Sequence, residues 1–554
     1  MKDIRVGILT NGMSAPAWVQ DMLRMSVAQE GVKISLVVDY SIDGAHVRHA
    51  DSARTPLLDA WLAVDKRLIK VSPDAFEAVD MSSVLANAPV LNVKVDAQSN
   101  AERFAQHDIA QIKTHDIDVF LLLGALRPGD DILNAASSGI WYFEHGDGQR
   151  SQQTTVGMHD ILTDSTHTES ALQWRVAGSN QAHTLQRSWS VTHPFSIHRN
   201  RSYCYWKTLS FFPRKLQELR SIGAASFRQR YAADRSRTTP VPVRRHDNAV
   251  SRNALHMRQI AGLVARIAAS KVANLTTQEQ WMLLYRFSDE ATPTNPQTFT
   301  ELVPPRDRFW ADPFVIRRNG EYVVFIEELE YADNRGYISA IRFDANQQPI
   351  LPPIKVIQRP YHMSYPYLIE HEGELYMIPE THQSRAIELY RCVQFPDKWE
   401  HVMNLMEDVM AVDTTIWRHE GKFWMFVGMR DNEHASLSEE LFLFSADTLL
   451  TQNWKPHPRN PIVSDVRCAR PAGNIFEHEG AWYRPAQDCS GKYGRALTVQ
   501  RIDVIDDETY QETPVSRIDA NWTPSIDRVH TFNRDGQLSL IDGMKIHRKF
   551  RTPA

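Results

Sequence analysis

One pattern of apolar and polar positions recurs five times in the second half of this chain. An apolar run ends at a two-residue polar turn closed by glycine, and an aromatic-rich apolar run follows. The copies read ADPFVIRRNGEYVVFIEE from Ala311, SYPYLIEHEGELYMIPET from Ser364, VDTTIWRHEGKFWMFVGM from Val412, PAGNIFEHEGAWYRPAQD from Pro471 and VHTFNRDGQLSLIDG from Val529. Their turn glycines, Gly320, Gly373, Gly421, Gly480 and Gly536, are spaced 53, 48, 59 and 56 residues apart. Asn-Gly, Glu-Gly and Asp-Gly turns between such runs predict β-hairpins. Strand-bearing units repeated at that period predict an all-β five-bladed propeller over residues 276–554. A third apolar run follows in the first four units: GYISAIRF, AIELYRCV, ELFLFSAD and RALTVQRI. The fifth unit runs out after MKIHRKF, so QWMLLYRF from Gln280 is expected to supply its missing outer strand. An open ring would leave unpaired edges.

The first 220 residues carry a different pattern. Short apolar β-branched runs, RVGILT from Arg5, KISLVVDY from Lys33 and VFLLLGAL from Val119, alternate with helical spacing such as Ala17 to Gln29. That alternation predicts an α/β domain over 1–220 with a parallel sheet. The turn after the first run lacks G-x-G-x-x-G, so a dinucleotide site has no support. Residues 221–275 read as a basic linker rich in Pro, Ser and Thr followed by a helix, ALHMRQIAGLVARIAASKVA. From Arg199 to Arg252 there are thirteen Lys and Arg against three Asp and Glu. Such a stretch is either solvated linker and helix face or a contact for phosphate or an acidic glycan.

Composition narrows the class. With 554 residues, 42% hydrophobic and 23% charged, the chain is an ordinary globular protein of two to four domains. A net charge of −5 argues against nucleic acid as partner. Four cysteines, Cys204, Cys392, Cys468 and Cys489, form no CxxC pair, which suits a reducing compartment. The start, MKDIRVGILTNG, reads as strand and turn. No stretch approaches the ~20 apolar residues of a transmembrane helix. The expectation is a cytoplasmic protein.

The repeat also places chemistry. Eight residues before the turn glycines stand Asp312, Tyr365, Asp413 and Ala472; seven or eight after stand Glu327, Glu328, Glu380, Gln487 and Asp488. These positions share one end of each hairpin, so they are expected to converge at one face of the ring. Trp310, His362, Arg470 and Arg484 join them. Converging carboxylates repel, and at least one should hold its proton more tightly. Two carboxylates with pKa values pushed apart are what glycosidic-bond chemistry needs. Asp312, Asp413 and Glu380 are therefore the catalytic candidates. Trp310, Glu327, Glu328, His362, Tyr365, Arg470, Arg484 and Asp488 are candidates for substrate binding. Each acid could instead cap a turn or pair with Arg between blades. No H-E-x-x-H or similar spacing supports a metal.

The segments RFWADPF, HMSYPYLIEHEGELYMIPET, AVDTTIW, ARPAGNIF and RPAQDCSGKYG resemble the propeller of glucosamine inositolphosphorylceramide transferases over about residues 300–545. Bacterial proteins with that propeller behind a formyltransferase-like domain look closer still. More distantly, the Asp-Pro at Asp312 resembles furanosidase propellers, which implies a base or nucleophile there. Those families place Asp where this chain has Tyr365. Mannosyl enzymes share the scaffold, so hydrolysis, transfer and phosphorolysis all stay open.

Residues 138–190 resemble the catalytic half of folate-dependent formyltransferases. That family implies an Asn and a His that polarise the formyl group and an Asp that moves a proton. Here Phe143 stands at the Asn, His145 is kept with Asp147 close by, and Asn180 stands at the Asp. Phe donates no hydrogen bond and Asn accepts no proton near neutral pH, so the domain reads as degenerate and kept for its shape. His159, His183 and His193 could lie near the pair, and Asn200 to Lys207 should pack as a helix over the sheet. The leading expectation is a carbohydrate-active enzyme acting on a sugar, glycan or glycolipid of cell-surface metabolism, with no cofactor at the propeller. The alternatives are a formyltransferase using 10-formyltetrahydrofolate on an amino sugar or aminoacyl substrate, and a non-catalytic glycan-binding scaffold.

Overall fold

A computed structural model describes residues 3–43, 56–97, 102–124, 126–145, 157–179, 181–232, 238–240, 249–289, 298–520 and 525–549. The chain divides into two compact units, Met1–Ile267 with Asn432–Ala435, and Ala268–Asp431 with Ser436–Ala554.

The first unit is built on a nine-stranded sheet. Its centre is parallel, in the order Ile140–His145, Val119–Leu123, Ile4–Thr10, Val32–Asp43, Val90–Ala97. The edges are antiparallel: Glu102–Phe104 on one side, and the hairpin His167–Arg175 and Gln181–Val191 with Thr238–Pro240 on the other. The sheet is therefore mixed where the sequence pattern predicts a parallel one. Continuous apolar runs mark only the buried central strands, and the edge hairpin alternates too weakly to stand out. Core residues cover both faces, Trp18, Met22, Trp141, Trp174 and Phe212 on one and Leu36, Tyr40, Phe104 and Phe120 on the other. The expected helix around Asn200 to Lys207 is Ile197–Thr208, begun by Ser196, whose side chain accepts the Arg199 N–H. The sequence boundary near residue 220 falls inside the helix Phe211–Ala232, which kinks at Gly223. A further helix spans Ala249–Thr276. Among the described residues no helix is long and apolar enough to cross a membrane.

The second unit is a five-bladed β-propeller. The first blade is Arg308–Arg318, Glu321–Glu330, Arg335–Phe343 and Pro349–Ile357. The second is Ser364–His371, Glu374–Glu380, Ala386–Gln394 and Lys398–Glu407. The third is Ala411–His419, Lys422–Met429, Leu441–Ala446 and Lys455–Pro456. The fourth is Arg470–Pro471 with Phe476–His478, then Ala481–Asp488, Ala496–Ile505 and Tyr510–Asp519. The fifth joins the two ends of the unit. Thr277–Phe287 pairs antiparallel with Leu538–Arg548 along its whole length, and Thr300–Leu302 adds the outer edge. QWMLLYRF thus closes the ring as expected, but as the third strand of its blade, the outer place expected of it being taken by Thr300–Leu302. The outermost strands of the first four blades are mostly exposed and carry Pro and charge, which hid them from pattern reading.

The turns explain the glycines. Asn319 and Gly320, Glu372 and Gly373, Glu420 and Gly421, and Glu479 and Gly480 all have positive φ. Two successive left-handed residues make the tight hairpin whose twist matches the strands. Between blades the core is aromatic and aliphatic, with Phe314 edge-on to Tyr365 at 4.7 Å and Trp417 against Trp482 at 5.0 Å.

Candidate functional site at the propeller mouth

The innermost strand of each of the first three blades breaks register once, between Ala311 and Phe314, Ser364 and Tyr367, and Val412 and Thr415. Inside each break stands a residue at positive φ: Asp312 at 49°, Tyr365 at 43° and Asp413 at 52°. Left-handed backbone is uncommon for such residues and costs energy, so the same strain at three equivalent places marks a built feature. The three bulges meet at the hub. Asp542 Oδ2 accepts the Asp312 N–H at 2.9 Å, and Asp312 Oδ2 accepts the Tyr365 N–H at 3.1 Å. The Tyr365 hydroxyl then accepts the Gly473 N–H at 2.8 Å and lies 2.8 Å from Thr415 Oγ1.

Above this floor lies a cavity of about 290 Å³, open to solvent. It sits at the small end of the roughly 300–1,000 Å³ range of ligand pockets. Asp312, Glu327, Glu380, His362, His382, Arg470 and His530 line it, with Trp281, Phe309 and Tyr493 as aromatic walls. The charged groups come in pairs. Arg470 grips Asp413 through Nε at 2.5 Å and Nη2 at 3.2 Å. His362 Nε2 is 3.0 Å from Glu327 Oε1, and His382 Nδ1 is 2.5 Å from Glu380 Oε1. His530 stands between two acids, Nδ1 2.7 Å from Asp542 and Nε2 3.4 Å from Asp312. Glu380 also accepts the Ser364 hydroxyl and the His382 N–H, at 2.9 and 2.7 Å.

These neighbours shift the three candidate carboxylates differently. Burial pushes Asp312 up to about 7; the opposing charge of His530 is outweighed, and Glu327, Asp542 and Asp413 add to the rise. Burial also acts on Glu380, but the hydrogen bonds and charge of His382 overcome it and hold that carboxyl below its ordinary value. Asp413 is raised by burial against the pull of Arg470. For His530 and His362, burial would favour the neutral ring. The facing carboxylates, Asp542 and Asp312 for one and Glu327 for the other, win and lift both to about 9.

Asp312, His530 and Asp542 bring three possible ligand atoms within 4.8 Å of one another. Their oxygens are already engaged: Asp542 by the N–H groups of Asp312, His530 and Thr531, and Asp312 by Tyr365 N–H and the Thr531 hydroxyl. The residues fit a hydrogen-bonded acid cluster better than a metal centre.

Of the residues expected at the mouth, Asp312, Glu327, His362, Glu380 and Arg470 line the cavity, and Asp413 lies behind Arg470. Five are placed elsewhere. Trp310 is buried in the blade core, with Nε1 3.3 Å from Glu328, and Glu328 itself binds Arg308 and Ser339. Both are one residue out of phase with Phe309 and Glu327, because successive strand side chains face opposite ways. Arg484 forms a buried fork with Glu512, and Asp488 caps the Ser490 N–H and pairs with Arg517. Tyr365 belongs to the floor. Trp281, Phe309, His382, Tyr493 and His530 were not found by counting from the turns. His382 follows Glu380 by two residues and could have been read as its partner. Trp281 and His530 come from the closing blade, whose hub residues are offset from the repeat.

In the first unit His145 is 4% exposed. Its Nδ1 is 3.1 Å from Ser170 Oγ and its ring 3.8 Å from Tyr205. Burial, helped by the Arg201 charge, pushes it down to about 3. It is a neutral, packed ring and a poor proton acceptor near neutrality. Asp147 and Asn180 lie outside the described residues. His183 instead lines a second cavity, of about 230 Å³, with Trp174 and Arg228.

Residues 298–527 match the family described as "Glucosamine inositolphosphorylceramide transferase 1, N-terminal". The Arabidopsis thaliana protein named glucosamine inositolphosphorylceramide transferase 1 is 31% identical over 210 residues, covering 37% of this chain and 27% of that protein. Its namesake in Oryza sativa subsp. japonica is 30% identical over 211 residues, covering 38% and 28%. The chain thus spans little more than a quarter of the length of these curated relatives. Among solved structures, it is similar to a family 117 glycoside hydrolase of Zobellia galactanivorans, at 12% identity, 48% of this chain, 90% of that one and a TM-score of 0.32. A Coprinopsis cinerea GH62 α-L-arabinofuranosidase domain matches at 11% identity, 47% and 97% coverage and 0.32. At such scores the structural likeness carries no argument about chemistry.

Proposed function

We propose that the propeller mouth is a carbohydrate-active site that breaks or transfers a glycosidic bond of a glycan or glycolipid. One observation carries this reading. Asp312 and Glu380 share a cavity, yet Asp312 is pushed up to about 7 while Glu380 is held below its ordinary value. A carboxyl that exchanges its proton near neutrality beside one that stays ionised is the division of labour glycosidic chemistry requires. In this reading Asp312 is the general acid or base, and Glu380 stabilises positive charge developing on the sugar ring or attacks it. Arg470, held by Asp413, orients the substrate, and Trp281 and Tyr493 offer faces to the apolar side of a sugar. The names of the relatives, transferases of a glycolipid, support the substrate class. The four free cysteines support a reducing, cytoplasmic setting. We assign the first unit no formyl transfer, since neutral His145 is sealed in the core.

The test is turnover of a panel of aryl glycosides, oligosaccharides and glycolipids, with water, phosphate or a sugar hydroxyl as acceptor. Asp312→Asn and Glu380→Gln should each reduce turnover by roughly 10²–10⁴-fold without unfolding the chain. Wild-type rates in both variants would end the proposal. Sugar that binds the wild-type mouth and is recovered unchanged under every acceptor would make the propeller a glycan-binding scaffold.

A further inference from the structure

Among the described residues, no base lining the propeller mouth stands without an acid against it. Glu327 faces His362, and Glu380 faces His382. His530 is shared by two acids, Asp312 and Asp542, so acids outnumber bases there. The Arg470 fork is closed: Nε and Nη2 hold Asp413, and Nη1 lies 3.3 Å from Ser438 Oγ. On the loop of Tyr493 the cations are engaged as well. Lys492 pairs with Asp527 at 3.3 Å, and Arg495 Nη1 lies 3.2 Å from Ser490 Oγ. The mouth therefore has no cation to spare for an anionic ligand.

We propose that the mouth selects an uncharged sugar residue and rejects the matching uronate. This deepens the reading of the mouth as a carbohydrate site and rests on it. The cavity, about 290 Å³, is small. A sugar ring with its glycosidic bond at Asp312 and Glu380 sets its other substituents against the walls. A hydroxymethyl group there hydrogen-bonds to the paired acids and bases without separating them. A carboxylate gives up water and meets either another carboxylate or a base already taken. To hold it, Arg470 would have to leave Asp413 buried and unpaired, and breaking a buried pair costs more than the exchange restores. Charges set against the wrong ligand give specificity as much as contacts made to the right one.

Saturation-transfer NMR and calorimetry on the full chain test it. The probes are the methyl glycosides of glucose, galactose and mannose and their uronates, each pair differing only in the group on C6. At least one neutral glycoside should bind, with its uronate weaker by about tenfold or more. Asp413→Asn frees Arg470 and should raise uronate affinity relative to the neutral partner on the order of tenfold, with unchanged circular dichroism. If that variant does not fold, the wild-type ratio decides. A uronate that binds as tightly as its neutral partner overturns the selectivity and leaves the carbohydrate reading standing. So does a folded Asp413→Asn that keeps the wild-type ratio. Absence of binding by every glycoside overturns both. Preference for the neutral partner without turnover upholds the selectivity and removes only the bond chemistry.

Discussion

The main-chain N–H of Tyr365, in the second blade, donates to the carboxylate of Asp312, in the first, at 3.1 Å, and both residues hold left-handed backbone. Neighbouring blades are therefore tied by the same strained bulges that aim side chains at the hub. Tyr365→Phe keeps that tie but removes the hydroxyl that accepts the buried Gly473 N–H. The loss should cost about 1–3 kcal/mol, read as a lower urea midpoint. An unchanged midpoint would show that the hub is held by packing alone.

His530 should set the pH at which Asp312 changes state. Its positive charge opposes the upward push on Asp312 from burial and from Glu327, Asp542 and Asp413. Replacing it with Gln removes that opposition, so the limb of kcat/KM near pH 7 should move to higher pH. A limb that stays in place would mean that another group titrates.

Stability should respond to pH with opposite signs in the two units. His362 and His530, raised to about 9, bind protons more tightly folded than unfolded. Their contribution is full below roughly pH 6.5 and lost as pH rises through about 9. In the first unit, burial pushes His145 to about 3 and His193 to about 4. That contribution is full above roughly pH 6.5 and lost as pH falls through about 4. Calorimetry from pH 4 to pH 9 should show the propeller weakening toward alkali and the first unit toward acid. His362→Gln should flatten the alkaline loss.

Arg484 tests the difference between a site residue and a strut. It is buried within the fourth blade and bound through Nε and Nη2 to Glu512, at 3.0 and 2.7 Å. Arg484→Met leaves a buried carboxylate unpaired and should cost about 3–5 kcal/mol. Adding Glu512→Met should restore most of it. Turnover of the folded fraction should stay at the wild-type rate in both.

Two glycines separate backbone strain alone from strain joined to a backbone clash. A Cβ on Gly373 would meet nothing within 4 Å, so Gly373→Ala pays only for its left-handed turn, about 1–2 kcal/mol. Gly473 also has a positive φ, 132°, and a Cβ there would in addition lie 2.0 Å from the Phe532 carbonyl oxygen of the next blade. Gly473→Ala should therefore cost about 3 kcal/mol and lower the yield of folded protein. Equal midpoints would show that the fourth and fifth blades can part at no cost.

The sequence by itself determined what depends on residues near one another in the chain. Gly320, Gly373, Gly421 and Gly480 announce their hairpins because a two-residue turn requires positive φ locally. QWMLLYRF announces its place because a ring must pair its edges. Only the tertiary structure decided which acid of each neighbouring pair reaches the mouth, and which distant residues complete it. One residue of register sends Glu327 to the cavity and Glu328 into the blade, and the bulges that set that register are invisible in an apolar pattern. Trp281 and His530 are 249 positions apart in the chain, and their rings meet at 4.2 Å because the last blade joins the two ends of the propeller.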